Sequence, residues 1–98
     1  MTVIRHVVFS GRVQGVGFRA HVEDLAARTV VGGWVRNRRD GTVEAMFAGD
    51  PKAVEDTIAA CRKGSYAARV DGIEARDGHA EELALRGDKD KFAVLQTV

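Results

Sequence analysis

Residues 11 to 19 read Gly11-Arg12-Val13-Gln14-Gly15-Val16-Gly17-Phe18-Arg19. Three glycines let the backbone curl so that successive N–H groups point at one spot. An amphipathic segment begins directly after them, and the first turn of a helix brings unpaired N–H donors and the positive end of a dipole. Arg19 sets a permanent forked cation on that first turn. Amide donors, a helix N-terminus and a guanidinium together suit an anion, and phosphate best of all. A cation at this end opposes the helix dipole, which favours Asp or Glu there. A residue placed against its local preference argues for a role such as sharing a bound anion. The plainer reading is a tight strand-to-helix connection, but one glycine would suffice for that.

Asn37 is the second candidate. It lies near the end of a strand, where β propensity disfavours Asn. Period-two alternation puts it on the side of Val35, opposite Trp34 and Arg36. If helices cover that side, the amide stands at the end of the sheet beside the glycine loop, able to donate to and accept from a water. A turn-adjacent Asn bonding its own backbone explains the residue equally well. The remaining polar residues point elsewhere. Arg36, Arg38 and Arg39 read as a solvated basic hairpin, with steering of an anionic substrate as the functional option. His6, His21 and His79 lack metal-ligand spacing, Cys61 sits on an apolar stripe, and Asp40 serves a turn.

The pattern Gly15-x-Gly17-x-x-Ala20 also meets a relaxed dinucleotide fingerprint, with Asp40 about 20 residues further on. That fold needs successive parallel crossovers, whereas Asp40-Gly41 between two apolar runs dictates an antiparallel hairpin.

The elements that must position these groups follow from local signals. Residues 3 to 9 are mostly β-branched or aromatic and predict a strand. Phe18, Val22, Leu25, Ala26 and Thr29 recur at helical period, with Gly32 and Gly33 expected to close the helix in left-handed conformation. Residues 34–38 and 42–48 form strands around Asp40-Gly41. Asp50 suits a helix N-cap and Pro51 the first helical position, with Val54, Ile58 and Cys61 inward and Gly64 at the end. Residues 68–76 predict a strand with a bulge at Gly72. From Gly78 to Asp90 the chain is polar, with residues 82–85 read as a short paired segment, and residues 92–97 form a closing strand. The order βαββαβ plus a C-terminal strand gives an α+β fold: a ferredoxin-like α/β sandwich. Its antiparallel sheet has four to five strands and carries two helices on one face. One domain is expected to cover residues 1–98.

Composition bounds the function. The chain has 98 residues, 45% hydrophobic and 30% charged, which excludes a disordered or fibrous protein. A net charge of +1 provides no global basic field for nucleic acid. No apolar run approaches the roughly 20 residues of a membrane span. Residues 1–6 lack the layout of a signal peptide, and a lone Cys61 forms no internal disulfide, so a cytoplasmic protein is expected, by default a monomer.

Two segments carry a further signal. Gly11-x-Val13-Gln14-Gly15-Val16-x-Phe18-Arg19 and Gly33-Trp34-Val35-Arg36-Asn37-x-x-Asp40-Gly41-x-Val43-Glu44 closely resemble the two signature segments of acylphosphatases, in family order and spacing. The resemblance runs on through the second helix to Ala68-Arg69-Val70. It departs at Gly64-Ser65-Tyr66, where many members carry proline after the glycine. It implies hydrolysis of the carboxyl–phosphate anhydride of a small-molecule acyl phosphate to a carboxylate and inorganic phosphate, without metal or other cofactor. By position, Arg19 matches the arginine that binds the phosphoryl group and Asn37 the asparagine that orients the attacking water. Gln14, Gly15, Val16, Gly17 and Phe18 match the loop whose amides surround the phosphate. One rival is carbamoyl-phosphate hydrolysis within a larger maturation enzyme, against which the stand-alone length argues. The other is a non-catalytic ferredoxin-like module binding a small anion, or RNA on its open sheet face. RNA binding would require exposed aromatics, and alternation does not place Phe9, Trp34 and Phe47 on one open face.

Overall fold

A computed structural model describes residues 1–87 and 92–98. The first strand, β1 (Val3–Arg12), leads through the glycine loop into α1 (Phe18–Thr29). Then follow β2 (Gly32–Asn37), β3 (Val43–Gly49), α2 (Pro51–Arg62) and β4 (Arg69–Asp77). A short helix α3 (Ala80–Leu83), one 3-10 turn (Ala84–Arg86) and the brief strand β5 (Ala93–Val94) complete the order. The sheet runs β4-β1-β3-β2-β5, with the first four strands antiparallel and β5 parallel to β2. The ferredoxin-like arrangement is therefore present, its sheet made mixed by the last strand.

Alternation decides which side is covered. Val7 and Phe9 of β1, Val35 of β2, and Val43, Ala45 and Phe47 of β3 are fully buried on one face. Phe18, Val22 and Ala26 of α1, with Val54 and Cys61 of α2, close over them. The helices are tied together by Thr29 and Thr57, whose hydroxyls lie 2.6 Å apart. Asp50 caps α2 as expected: its carboxylate accepts from the N–H groups of Lys52 and Ala53, and Pro51 takes the first helical position. The β2–β3 hairpin turns at Asp40-Gly41, where Asp40 Oδ1 accepts from both the N–H and the hydroxyl of Thr42. The bulge sits where Gly72 suggested, since Ser10 pairs with Gly72 but Gly11 with Val70.

Four local expectations are corrected. Helix α1 ends not on Gly32-Gly33 but on Val30, which adopts the left-handed conformation (φ 57°). Val31 N–H bonds Ala26 O and Val30 N–H bonds Ala27 O, a Schellman motif with valine where glycine is usual. The two glycines belong to β2, and Gly33 (φ 130°) lets the Met46 carbonyl approach so closely that any Cβ would strike it. Residues 82–85 are not a paired segment: α3 and the following turn hold them, because Trp34 Nε1 donates to Glu82 O at 2.8 Å and Glu82 takes a two-pronged contact from Arg76. The closing strand shrinks to Ala93–Val94, and residues 88–90 of the polar stretch lie outside the described residues. Lastly, Arg36 is not a solvated hairpin residue. It bonds Glu44 Oε1 at 2.7 Å and lies 4.7 Å from the centre of the Trp34 ring. No helix among the described residues is long and apolar enough to cross a membrane.

Candidate active site

At the end of the sheet where β1 passes into α1, the loop residues Gly15 and Gly17 both take positive φ (71° and 78°). An added Cβ would meet nothing within 4 Å at either position, so glycine is needed there for the backbone conformation and not for space. Gly17 is the N-cap of α1, makes no side-chain cap, and is followed by a first turn without acidic residues. The opening N–H groups of α1 thus have no side chain to satisfy them, which leaves an anion-receptive helix end. Arg19 stands on that turn, half-buried, and engages no carboxylate among the described residues.

Arg19 and Asn37 line one open cleft of about 290 Å³ together with Val13, Gly15, Gly17 and Phe18. Asn37 reaches it because Val35, two residues earlier on the same side, packs into the helix-covered core. The amide does not serve the turn. Its Oδ1 is buried without any hydrogen-bond donor among the described residues, an acceptor that they leave unmet. The backbone around Asn37 is fixed on both flanks. β3 pairs with it on one side, and on the other Val98 N–H donates to Asn37 O (3.2 Å) while Arg39 N–H donates to Val98 O (2.7 Å).

Not every expected residue meets the cleft. Val16 packs against the core, and the Gln14 side chain turns to the hairpin, where Nε2 donates to Arg38 O (2.7 Å) and Thr42 O (2.8 Å). Glu23, Ala20 and Val94 line the cleft without having been singled out. Glu23 was legible as the next residue along the helix face from Arg19, at i+4. Val94 was not, because its place depends on the parallel pairing of β5 with β2. Of the histidines, His6 lies on the far face of the sheet, its Nε2 2.6 Å from Glu44 Oε2, while His21 sits on the first turn of α1 with its ring 6.4 Å from that of Phe18. As for a stacking platform, Phe9 and Phe47 are in the helix-side core and Trp34 is 1% exposed beneath Arg36 and the Glu82 segment.

With this geometry in hand, the acylphosphatase profile matches residues 5–94, most of the chain. The chain belongs to the acylphosphatase family. An acylphosphatase of Bradyrhizobium diazoefficiens is 53% identical over 95 residues, covering 97% of this chain and 96% of that protein. The acylphosphatase crystal structure from Bacillus subtilis superposes with a TM-score of 0.83 at 30% identity, covering 97% of this chain and 99% of that one. An acylphosphatase structure from Coxiella burnetii gives the same TM-score at 28% identity, over 96% of this chain and 93% of that one. Family and fold together make the chain an acylphosphatase, an acyl-phosphate hydrolase by class.

Proposed function

We propose that this acylphosphatase cleaves acyl phosphates by direct in-line attack of water on phosphorus, without a metal, with Arg19 and the loop 14–19 holding the phosphate and Asn37 orienting the water. The observation that carries the reading is the meeting, in one cleft, of a guanidinium that engages no carboxylate among the described residues, a helix N-terminus without a side-chain cap and the Asn37 amide with its unused acceptor.

The small number of groups suffices because of the leaving group. A carboxylate, with a pKa of about 4.3, departs without protonation, so no general acid is needed. Water oxygen bonds to phosphorus, the bond from phosphorus to the acyl oxygen breaks, and its electron pair leaves with the carboxylate. Negative charge spreads over the non-bridging oxygens, where the amides of Gly15 to Phe18 and the Arg19 guanidinium stabilise it. A phosphate oxygen of the substrate accepts the water proton. Asn37 supplies orientation, a large factor on its own in reactions between held partners. Every side chain invoked comes from one copy of the chain, and the partner required is a small-molecule acyl phosphate.

The test is hydrolysis of benzoyl phosphate, followed by ultraviolet absorbance in excess chelator, for wild type, Arg19→Ala and Asn37→Ala. Turnover by wild type that collapses in Arg19→Ala supports the anion site and the absence of a metal. Asn37→Ala should lower kcat by roughly 100-fold or more with inhibition by inorganic phosphate retained. Full turnover in that variant would remove water positioning from Asn37.

A further inference from the structure

We infer that the acyl group of the substrate is an uncharged hydrocarbon chain, seated in an apolar cleft that continues the Arg19–Asn37 cleft along α1. The inference rests on the function proposed above and names the substrate class for the same site.

A second cleft, of about 520 Å³, is lined by Ala26, Ala27, Val30, Val31 and Phe92. Glu23 lines both this cleft and the first. Arg19, Glu23, Ala26, Ala27 and Val30 recur at helical spacing, so one face of α1 leads from the phosphate end to the apolar end. At 1.5 Å rise per residue that path is about 16 Å long. A polar head with convergent donors, opening into an apolar chamber, is the usual composition of a small-molecule site.

Two further observations agree. Val30 stands at the far rim, 88% exposed, a β-branched residue in left-handed backbone conformation. Its left-handed backbone closes α1, and its exposure leaves an apolar side chain free at the rim of the cleft. Glu23, at the junction, makes no ion pair among the described residues. Its carboxylate repels an anionic acyl group passing it and leaves a neutral one unaffected. Apolar walls select for hydrocarbon and the acid at the junction selects against charge, so both point to one class.

A separate cleft between α2 and β1, also about 520 Å³, includes Ala59 and shares no residue with this path, and so supplies a control. The experiment measures kcat/KM for acetyl, butanoyl, hexanoyl, octanoyl and succinyl phosphates. In wild type kcat/KM should rise by up to about fourfold per buried methylene, and succinyl phosphate should fall below butanoyl phosphate by roughly 10-fold. Ala27→Glu, an exposed helical position, should flatten the chain-length series, and Val30→Gly should weaken it. The equivalent Ala59→Glu should leave the series as in wild type. A flat series in wild type, or a slope that survives Ala27→Glu, overturns the inference while leaving acyl-phosphate hydrolysis standing. Absence of turnover with every substrate, acetyl phosphate included, overturns both.

Discussion

Gln14 ties the glycine loop to the hairpin through Arg38: its side-chain nitrogen donates to the Arg38 carbonyl at 2.7 Å, and also to Thr42 O at 2.8 Å. Arg38 follows Asn37 directly, so the two halves of the cleft are fixed to one another by a single amide. Both carbonyls keep other donors, Gly41 N–H for Arg38 and Arg38 N–H for Thr42. Gln14→Ala should therefore cost only about 1–2 kcal/mol of stability. Activity should fall further than stability does, because loop and Asn37 lose their common reference. Gln14→Glu, which cannot donate and sets a carboxylate against two carbonyl oxygens, should be worse on both counts. Urea unfolding together with kcat/KM on benzoyl phosphate separates the two effects.

Val30 offers a gain. A valine at positive φ costs about 1–2 kcal/mol relative to a right-handed conformation, and at 88% exposure it returns little through burial. Val30→Gly should raise stability by about 1 kcal/mol, read as a shift in the urea midpoint at constant m-value. An unchanged or lowered midpoint would show that the Schellman turn carries no strain there.

Acid should weaken the fold through two carboxylates held below their ordinary values. Burial pushes Glu44 up, but hydrogen bonds from His6 and Arg36, with their charges, hold it below 4.5. Glu82 is pushed down to about 2, chiefly by the Arg76 hydrogen bond, which outweighs the opposing effect of burial, with the His79 N–H adding to the lowering. Because both are depressed in the folded state, their contribution is complete above the unfolded value and is lost as pH falls through the folded one. Stability should thus decline from about pH 4.5 downward, and Glu44→Gln and Glu82→Gln should each shallow that decline. A variant with an acid limb as steep as that of wild type would exclude its residue from the effect.

Cys61 is fully buried, and burial pushes its thiol up to about 12. At neutral pH there is almost no thiolate to react. A thiol-specific reagent should label the native protein only as fast as it unfolds, and promptly in denaturant. Rapid labelling without denaturant would mean that the α2 face opens locally.

Much of the fold was readable because its signals are local. Asp50-Pro51 begins α2 and Asp40-Gly41 turns the hairpin using atoms within three residues of each other. The failures share a cause at longer range. Gly32-Gly33 looks like a helix end, yet the demand on Gly33 comes from Met46, across the sheet. Residues 82–85 carry little local signal of their own, and the contacts that hold them come from Trp34 and Arg76. In the cleft, Arg19 and the glycines were visible from their own spacing, and Asn37 from alternation along β2. Val94 was not, since nothing near it in sequence shows that it pairs with Val35. The role of the Gln14 side chain was hidden in the same way, by partners at residues 38 and 42.

The run from β5 to Val98 has a consequence in time. Residues 11–43 contain the glycine loop, Arg19 and Asn37, so a chain emerging from the ribosome holds those groups early. The second flank of Asn37 arrives only with residues 93–98, across a separation of about 60 residues, and closing so long a loop is slow compared with making the hairpin that supplies the first flank. With Asn37 in the role proposed above, competence awaits the pairing of residues 93–98. Fraying of the last strand, among the easiest openings a domain undergoes, would switch it off without unfolding the rest.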